Sequence, residues 1–109
     1  MEKNEELFRA IAEKFLAKNK NVVLKKMFGK YGVAVNGNVF LCLFNGDFVF
    51  KMNGDAHANA LKISGAALWD PSGMKRPMKE WVQVPEKNKK EFEKLAEEAL
   101  KYVSTLPKK

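Results

Sequence analysis

The sequence has few of the features that mark secreted or membrane proteins. Among 109 residues it has one cysteine, Cys42, which excludes an internal disulfide and gives no reason to expect an oxidising compartment. No apolar run approaches the roughly 18 residues that a membrane-spanning helix needs. The acidic, amphipathic start, MEKNEELFRA, is unlike the basic beginning of a secretory signal peptide. We therefore expect a cytoplasmic protein with no membrane partner.

Side chains that carry out catalysis or bind metals are equally scarce. His57 is the only histidine, and a metal site would need carboxylates such as Asp47 and Asp55 to converge on it. Cys42 lies within an apolar run, and no Cys-His-Asn spacing supports a nucleophile, so a buried cysteine is the simpler interpretation. No paired-carboxylate motif and no phosphate-binding glycine spacing occurs. We predict no enzyme activity, no cofactor and no metal.

Positive charge is in excess, with 20 lysine and arginine residues against 13 acidic residues and a net charge of +7. More than half of the excess lies in residues 1–30, which hold eight basic and four acidic groups. Such a surface attracts polyanions, but nucleic-acid readers rely on arginine, and only Arg9 and Arg76 occur. Both a solvated lysine-rich surface and a nucleic-acid-binding patch fit. Lys75, Arg76 and Lys79 form a local cluster that is either a candidate anion contact or a solvated loop.

The most informative segment is MFGKYGVAVNGNVFLCLFNGDFVFKM, residues 27–52. It contains two Asn-Gly pairs, at 36–37 and 45–46, each between apolar runs. Both central residues of a type I′ turn need positive φ, so Asn-Gly between strand-like runs is a strong hairpin signal. The segment is therefore predicted to form a three-stranded antiparallel meander.

Two-residue turns also fix which residues face one another. The predicted pairs are Val33 with Phe40, Tyr31 with Cys42, and Leu41 with Phe50. One face is then wholly apolar, with Ala34, Val39, Leu41, Leu43, Phe48, Phe50 and Met52. The other is mixed, with Tyr31, Val33, Phe40, Cys42, Phe44, Asp47, Val49 and Lys51. The apolar face must be covered, and amphipathic helices are the available cover.

Such helices are predicted at both ends of the chain. Residues 3–18 place apolar side chains at helical spacing, and so does the segment from Pro85 to about Thr105. The other predicted elements are strands at 22–28, 66–69 and 78–84, and a short helix over 56–62 capped by Asp55. The predicted fold class is α+β: one two-layer domain, residues 1–109, with an antiparallel sheet of about five to six strands. Its element order is α-β-β-β-β-α-β-β-α, with long terminal helices and one short middle helix.

Several of these segments resemble one known family. The run Met27-Phe28-Gly29-Lys30-Tyr31-Gly32, followed by VNGNVF at 35–40, resembles the "MFGGYG…GKVF" opening of the TfoX/Sxy N-terminal domain. Proteins with that domain are bacterial regulators of natural competence. The strand FVFK at 48–51, the spacing of Met78, Trp81 and Val84-Pro85, and the closing helix around 99–103 are also similar to it. The resemblance runs from about residue 20 to the end of the chain.

The resemblance implies a small α+β domain whose matched residues are mostly structural. Gly29 and Gly32 are positions where backbone conformation or close packing excludes a side chain. Full-length competence regulators of the family carry a second, C-terminal domain that resembles helix-hairpin-helix modules. We expect this chain to be the N-terminal domain standing alone.

The mixed sheet face supplies the candidate interaction surface, which consists of Tyr31, Phe40, Phe44 and Lys51. Three interpretations are open: a surface for a protein partner or homodimer, a face covered by the chain itself, and a platform for stacking nucleic-acid bases. We predict a non-catalytic regulatory or protein-interaction domain. The alternative is a basic nucleic-acid-binding accessory protein, related to transcription or competence.

Overall fold

A computed structural model describes residues 5–27, 30–44, 46–70 and 78–107 of the protein. The helices are α1 (Glu5–Lys18), α2 (Gly54–Leu61) and α3 (Phe92–Val103), with a 3-10 helix at Glu86–Glu91 before α3. The strands are β1 (Val22–Met27), β2 (Lys30–Val35), β3 (Asn38–Phe44), β4 (Asp47–Lys51), β5 (Ala67–Trp69) and β6 (Met78–Val84). The predicted order of helices and strands is confirmed.

The strands form one antiparallel sheet in the order β1-β2-β3-β4-β6-β5. The first four strands each pair with their neighbour in sequence, and β6 then inserts between β4 and β5. The connection through α2 makes this possible, because it carries the chain past β4 and leaves the adjacent position open for β6. β1 and β5 consequently form the two edges of the sheet. The predicted α+β fold class is confirmed.

Both predicted tight turns are present. Asn36 has φ 52° and Gly37 has φ 85°, which are the two positive values that a type I′ turn requires. At the second turn Gly46 has φ 86°, and Phe44 pairs with Asp47, so two residues join β3 to β4. In the second hairpin, Leu41 pairs with Phe50, as predicted.

The predicted register of the first hairpin is wrong beyond its first two pairs. Ala34 pairs with Val39, but Val33 then pairs with Leu41, so Phe40 is an extra residue in β3. This β-bulge shifts every later pair by one residue, and Gly32, not Tyr31, lies opposite Cys42. Because side chains alternate between faces, a one-residue shift moves side chains to the other side of the sheet.

The larger core lies between the sheet and helices α1 and α3. Phe48 is at its centre: its ring stacks on Phe92 of α3, with centroids 4.2 Å apart and planes at 14°, and meets Phe8 of α1 edge-on at 5.7 Å. Leu41, Leu43 and Phe50 are buried in the same cluster, as the predicted apolar face requires. Val33 and Phe40, which were predicted on the mixed face, join this core because of the bulge.

The ends of two helices differ from the prediction. The N-cap of α2 is Asn53, and Asp55 lies in its first turn, where a carboxylate favours the positive end of the helix dipole. Pro85 has an extended ψ of 156° and precedes a 3-10 helix, so α3 itself begins only at Phe92. It ends at Val103, two residues before the predicted end. No helix among the described residues is long and apolar enough to cross a membrane.

Gly32 is packed between strands, as its motif implied. A Cβ atom placed there would lie 3.1 Å from the Lys25 carbonyl oxygen in β1 and 3.3 Å from the Leu41 carbonyl oxygen in β3. Both neighbours are backbone atoms, so neither can turn aside as a side chain would. Gly29, the other glycine singled out by the motif, lies outside the described residues.

We expect Gly32→Ala to lower the free energy of unfolding by about 1–3 kcal/mol, because two strand backbones must move apart. Gly54→Ala is the comparison, since its Cβ would meet no atom within 4 Å and only its positive φ of +62° opposes the change. That variant should lose about 1 kcal/mol. Urea denaturation of both measures the difference. A Gly32→Ala protein as stable as the wild type would show that the neighbouring strands leave room for a side chain at this position.

Candidate interaction surfaces

The four residues of the predicted interaction surface do not share one face. Phe40 is fully buried on the helix side, where its ring meets that of Phe15 edge-on at 6.0 Å. Tyr31 also packs against the helix-side core, and the Arg9 guanidinium of α1 lies 5.5 Å from its ring centroid. Phe44 lies in the cluster on the opposite face, and Lys51 contacts that cluster through Trp81. The bulge at Phe40 is the physical reason for this split.

The opposite sheet face carries a second, smaller core, here named the tryptophan cluster. Its buried members are Cys42, Val49, Trp69 and Trp81, with Val39 and Phe44 packed against them. The Trp69 ring meets both Phe44 and Trp81 edge-on, at centroid distances of 5.5 Å each. Cys42 is buried, as predicted. Because these side chains cover one another, the face is not an exposed stacking platform.

Sequence reasoning did not place the two tryptophans on this face. Each belongs to a strand whose partner was unknown, because β5 follows β4, and β6 follows β5, through connections longer than a tight turn. The relevant signal is register: Lys51 pairs with Trp81, and directly opposed residues share a face. Once β6 is known to pair with β4, the cluster follows from strand alternation.

A chain of polar contacts runs along the edge of the tryptophan cluster to α3. The Lys51 Nζ atom lies 5.9 Å from the Trp81 ring centroid and 4.0 Å from Glu80 Oε1. Tyr102 of α3 donates its hydroxyl to Glu80 Oε2 at 2.5 Å. This bond, then burial, then the charge of Glu80 raise the pKa of Tyr102 to about 12. The phenol therefore stays protonated at neutral pH and ties the end of α3 to β6.

Loss of the Tyr102 proton is expected to destabilise the fold at high pH. Its pKa rises from 10.0 to about 12 on folding, so the stabilisation is complete below the lower value and is lost as pH rises through the higher one. Phenolate absorbance, compared with Tyr102→Phe, isolates this titration. Glu80→Gln should lower the pKa, because the amide carries no charge. A wild-type midpoint at 10.0, the ordinary pKa of tyrosine, would contradict the contact.

An open groove of about 510 Å³ separates α2 from the end of α3. Its lining residues are Asn53, Ala56, Glu98, Lys101, Tyr102 and Thr105. Two of them, Glu98 and Lys101, carry opposite charges. The Tyr102 hydroxyl, whose pKa is raised, already donates to Glu80. His57 lies on α2, half-buried. Among the described residues, no group of three His, Cys, Asp or Glu side chains could hold a metal ion.

The predicted anion contact cannot be assembled from the described residues. Lys75 and Arg76 lie outside them, in the segment 71–77. Lys79 belongs to β6, and the cluster as a whole stays a prediction.

The exposed apolar surface is at the β1 edge of the sheet. Val23 and Leu24 are the large hydrophobic side chains exposed among the described residues, at 50% and 54%. They are consecutive in a strand, so they project from opposite faces and place apolar surface on both sides of the edge. The sequence VVLKKM of β1 predicted a strand but not its edge position. The adjacent lysines were the available signal, because lysine is frequent on edge strands.

The fold and this surface define the class: a two-layer α+β domain that presents an edge strand with exposed apolar side chains. The family model of the TfoX N-terminal domain matches residues 14–103, which is most of the chain. The chain therefore belongs to the TfoX N-terminal domain family, and the resemblance seen in its motifs is confirmed. No curated protein and no solved structure matches it.

Proposed function

We propose that this chain is a cytoplasmic, non-catalytic protein-interaction domain of the TfoX N-terminal type, spanning residues 1–109. Its contact surface is the β1 edge, defined as Val22–Met27 with the exposed side chains Val23 and Leu24. The exposure of these two side chains carries the proposal, because apolar surface left in water favours a partner that covers it. Burying the exposed part of each of these side chains in an interface contributes roughly 1 kcal/mol to the binding free energy.

Other parts of the described structure support this choice of surface. The tryptophan cluster has no exposed member, since Cys42, Val49 and Trp69 are fully buried and Trp81 is 5% exposed. The α2–α3 groove is open and lined by mixed charges, which does not favour one ligand. The β1 edge combines exposed apolar side chains with the end of a sheet, which is a common site of peptide recognition.

The test is affinity capture from a bacterial lysate treated with nuclease, using the full chain as bait. Val23→Thr/Leu24→Thr replaces apolar side chains while keeping strand propensity, and should reduce the captured protein roughly tenfold. Ala67→Thr is the matched control, because Ala67 is an exposed residue of β5, the other edge strand. It should capture as much protein as the wild type. Equal capture by all three proteins would refute the proposal.

Binding to nucleic acid is the second candidate function, favoured by the net charge of +7 and its concentration in residues 1–30. This candidate predicts binding to DNA or RNA at low salt whose affinity falls steeply as salt is added, because released counterions supply the driving force. Fluorescence anisotropy of a labelled duplex and a labelled single strand measures it. An absence of binding at low salt would remove this candidate.

A further inference from the structure

We propose that the β1 edge binds an extended, acidic segment of another protein, which joins the sheet as an additional strand beside β1. This inference rests on the proposed function and specifies its partner chemistry. It follows from three properties of the edge: the direction of its backbone groups, the arrangement of its apolar side chains and its charge.

Among the described residues, no strand pairs with the outer edge of the β1 backbone. The Asn36 amide donates to the Asn21 carbonyl at 3.2 Å, and the next pair along is Val22 with Val35. Hydrogen-bonded and non-hydrogen-bonded pairs alternate in an antiparallel ladder. Val23 and Lys25 therefore direct their backbone groups towards β2, while Leu24 directs its groups away from it.

The same alternation defines how long the outer edge is. Val22 and Lys26 also direct backbone groups outward, but the Val22 amide already donates to the Asn19 carbonyl at 3.3 Å. The outward groups are thus the Val22 carbonyl, both groups of Leu24 and both groups of Lys26. This spacing of two residues matches the hydrogen-bonding period of an extended segment.

Side chains at this edge need a partner that is apolar on both faces. Leu24 projects from the face on which Val22 is buried, and Val23 projects from the other. An added strand contributes neighbours on both faces at once, since its side chains also alternate. A flat surface or a helix laid against one face would cover only one of these two side chains.

Charge selects the chemistry of the added strand. Residues 18–30 contain five lysines and no acidic residue: Lys18, Lys20, Lys25, Lys26 and Lys30. A second copy of this chain would bring a second lysine-rich segment to the shared edge and join two molecules of net charge +7. Acidic side chains next to apolar ones complement the edge instead. Nucleic acid would also meet the lysines, but it would leave Val23 and Leu24 uncovered.

The first test selects ligands for the full chain from random short peptides displayed on phage. The enriched peptides should contain adjacent apolar residues, one for each face of the sheet, together with acidic residues that complement the lysine-rich segment around β1. The best peptide is then synthesised in two N-methylated versions. One version carries methyl groups on the odd-numbered amides, and the other carries them on the even-numbered amides. Methylation on the edge that meets β1 should weaken binding roughly tenfold or more, and the other set should bind as the parent does.

The second test changes the protein. Leu24→Pro removes the outward amide at a position where an edge strand tolerates proline, and should weaken the same peptide roughly tenfold. Leu24→Thr keeps that amide and should weaken it less. Circular dichroism establishes that both variants are folded. The N-methylated peptides are measured on wild-type protein, so they test the proposal even if Leu24→Pro does not fold.

The outcomes separate this inference from the function on which it rests. Enrichment of basic or uncharged peptides, no enrichment, or equal binding of both N-methylated sets would overturn strand addition. If lysate capture still depends on Val23 and Leu24, the proposed function stands without it. If the wild-type protein is a dimer and Leu24→Pro dissociates it, the edge binds a second copy of the chain. If DNA or RNA displaces the peptide, the edge binds nucleic acid. Either result also overturns the acidic strand.

Discussion

Replacing Phe48 with alanine is expected to lower the free energy of unfolding by about 3–5 kcal/mol. Phe48 is fully buried and contacts both terminal helices, through Phe8 of α1 and Phe92 of α3. Truncation therefore removes one large side chain and leaves a cavity at the point where sheet and helices meet. The loss is a large fraction of the roughly 5–15 kcal/mol that stabilises an ordinary domain.

Phe48→Leu is the control for this prediction. Leucine keeps most of the buried apolar volume but loses the stacked ring contact with Phe92, so we expect a loss of about 1–2 kcal/mol. Urea denaturation followed by circular dichroism measures both variants under identical conditions. A Phe48→Ala protein that loses no more than Phe48→Leu would show that the helices do not depend on this ring.

The parts of the fold that were predictable depend on local signals. Asn36-Gly37 identified the first turn because almost only Asn and Gly adopt its two positive φ values readily. The second turn fixed the pairing of Leu41 with Phe50 in the same way. Helix α1 was visible through its apolar stripe. Each of these signals lies within a few residues of the feature that it determines.

The bulge at Phe40 was not predictable from such signals. No glycine or proline marks it, and an unbroken two-residue pattern through β3 satisfied the sequence equally well. What favours the bulge is tertiary: it buries Phe40 against Phe15 of α1, whereas the unbulged register would put that ring on the opposite face. The candidate site depended on that register, and Phe40 was therefore misplaced.

The position of the contact surface was hidden for a different reason. Any six-stranded open sheet has two edge strands, but the sequence does not say which strands they are until the pairing of β6 is known. Its insertion between β4 and β5 leaves β1 at one edge. Val23 and Leu24 can therefore be recognised as part of an edge strand only when the pairing of the complete sheet is known.

The two cores connect different parts of the chain. The helix-side core joins both ends of the sequence, because α1 and α3 pack around the same strand residues. The tryptophan cluster instead joins β5 and β6 to the meander, through contacts of Trp69 with Trp81 and with Phe44. A substitution that disrupts the tryptophan cluster should therefore destabilise β5 before the other strands.

Replacing Trp69 with alanine tests this expectation, and should lower the free energy of unfolding by about 3–5 kcal/mol. β5 has only three residues, and Trp69 is its fully buried side chain, so its loss should also release β5 from β6. Hydrogen exchange should then be faster at Ala67 and Gln83, which pair across the two strands and direct their amides at each other, than at Leu41 in the centre of the sheet. Trp69→Phe retains an aromatic ring opposite Phe44 and Trp81, and should keep most of the stability and the protection of β5. Uniformly faster exchange in Trp69→Ala, with no preference for the β5 edge, would instead mean that the two cores unfold as one unit.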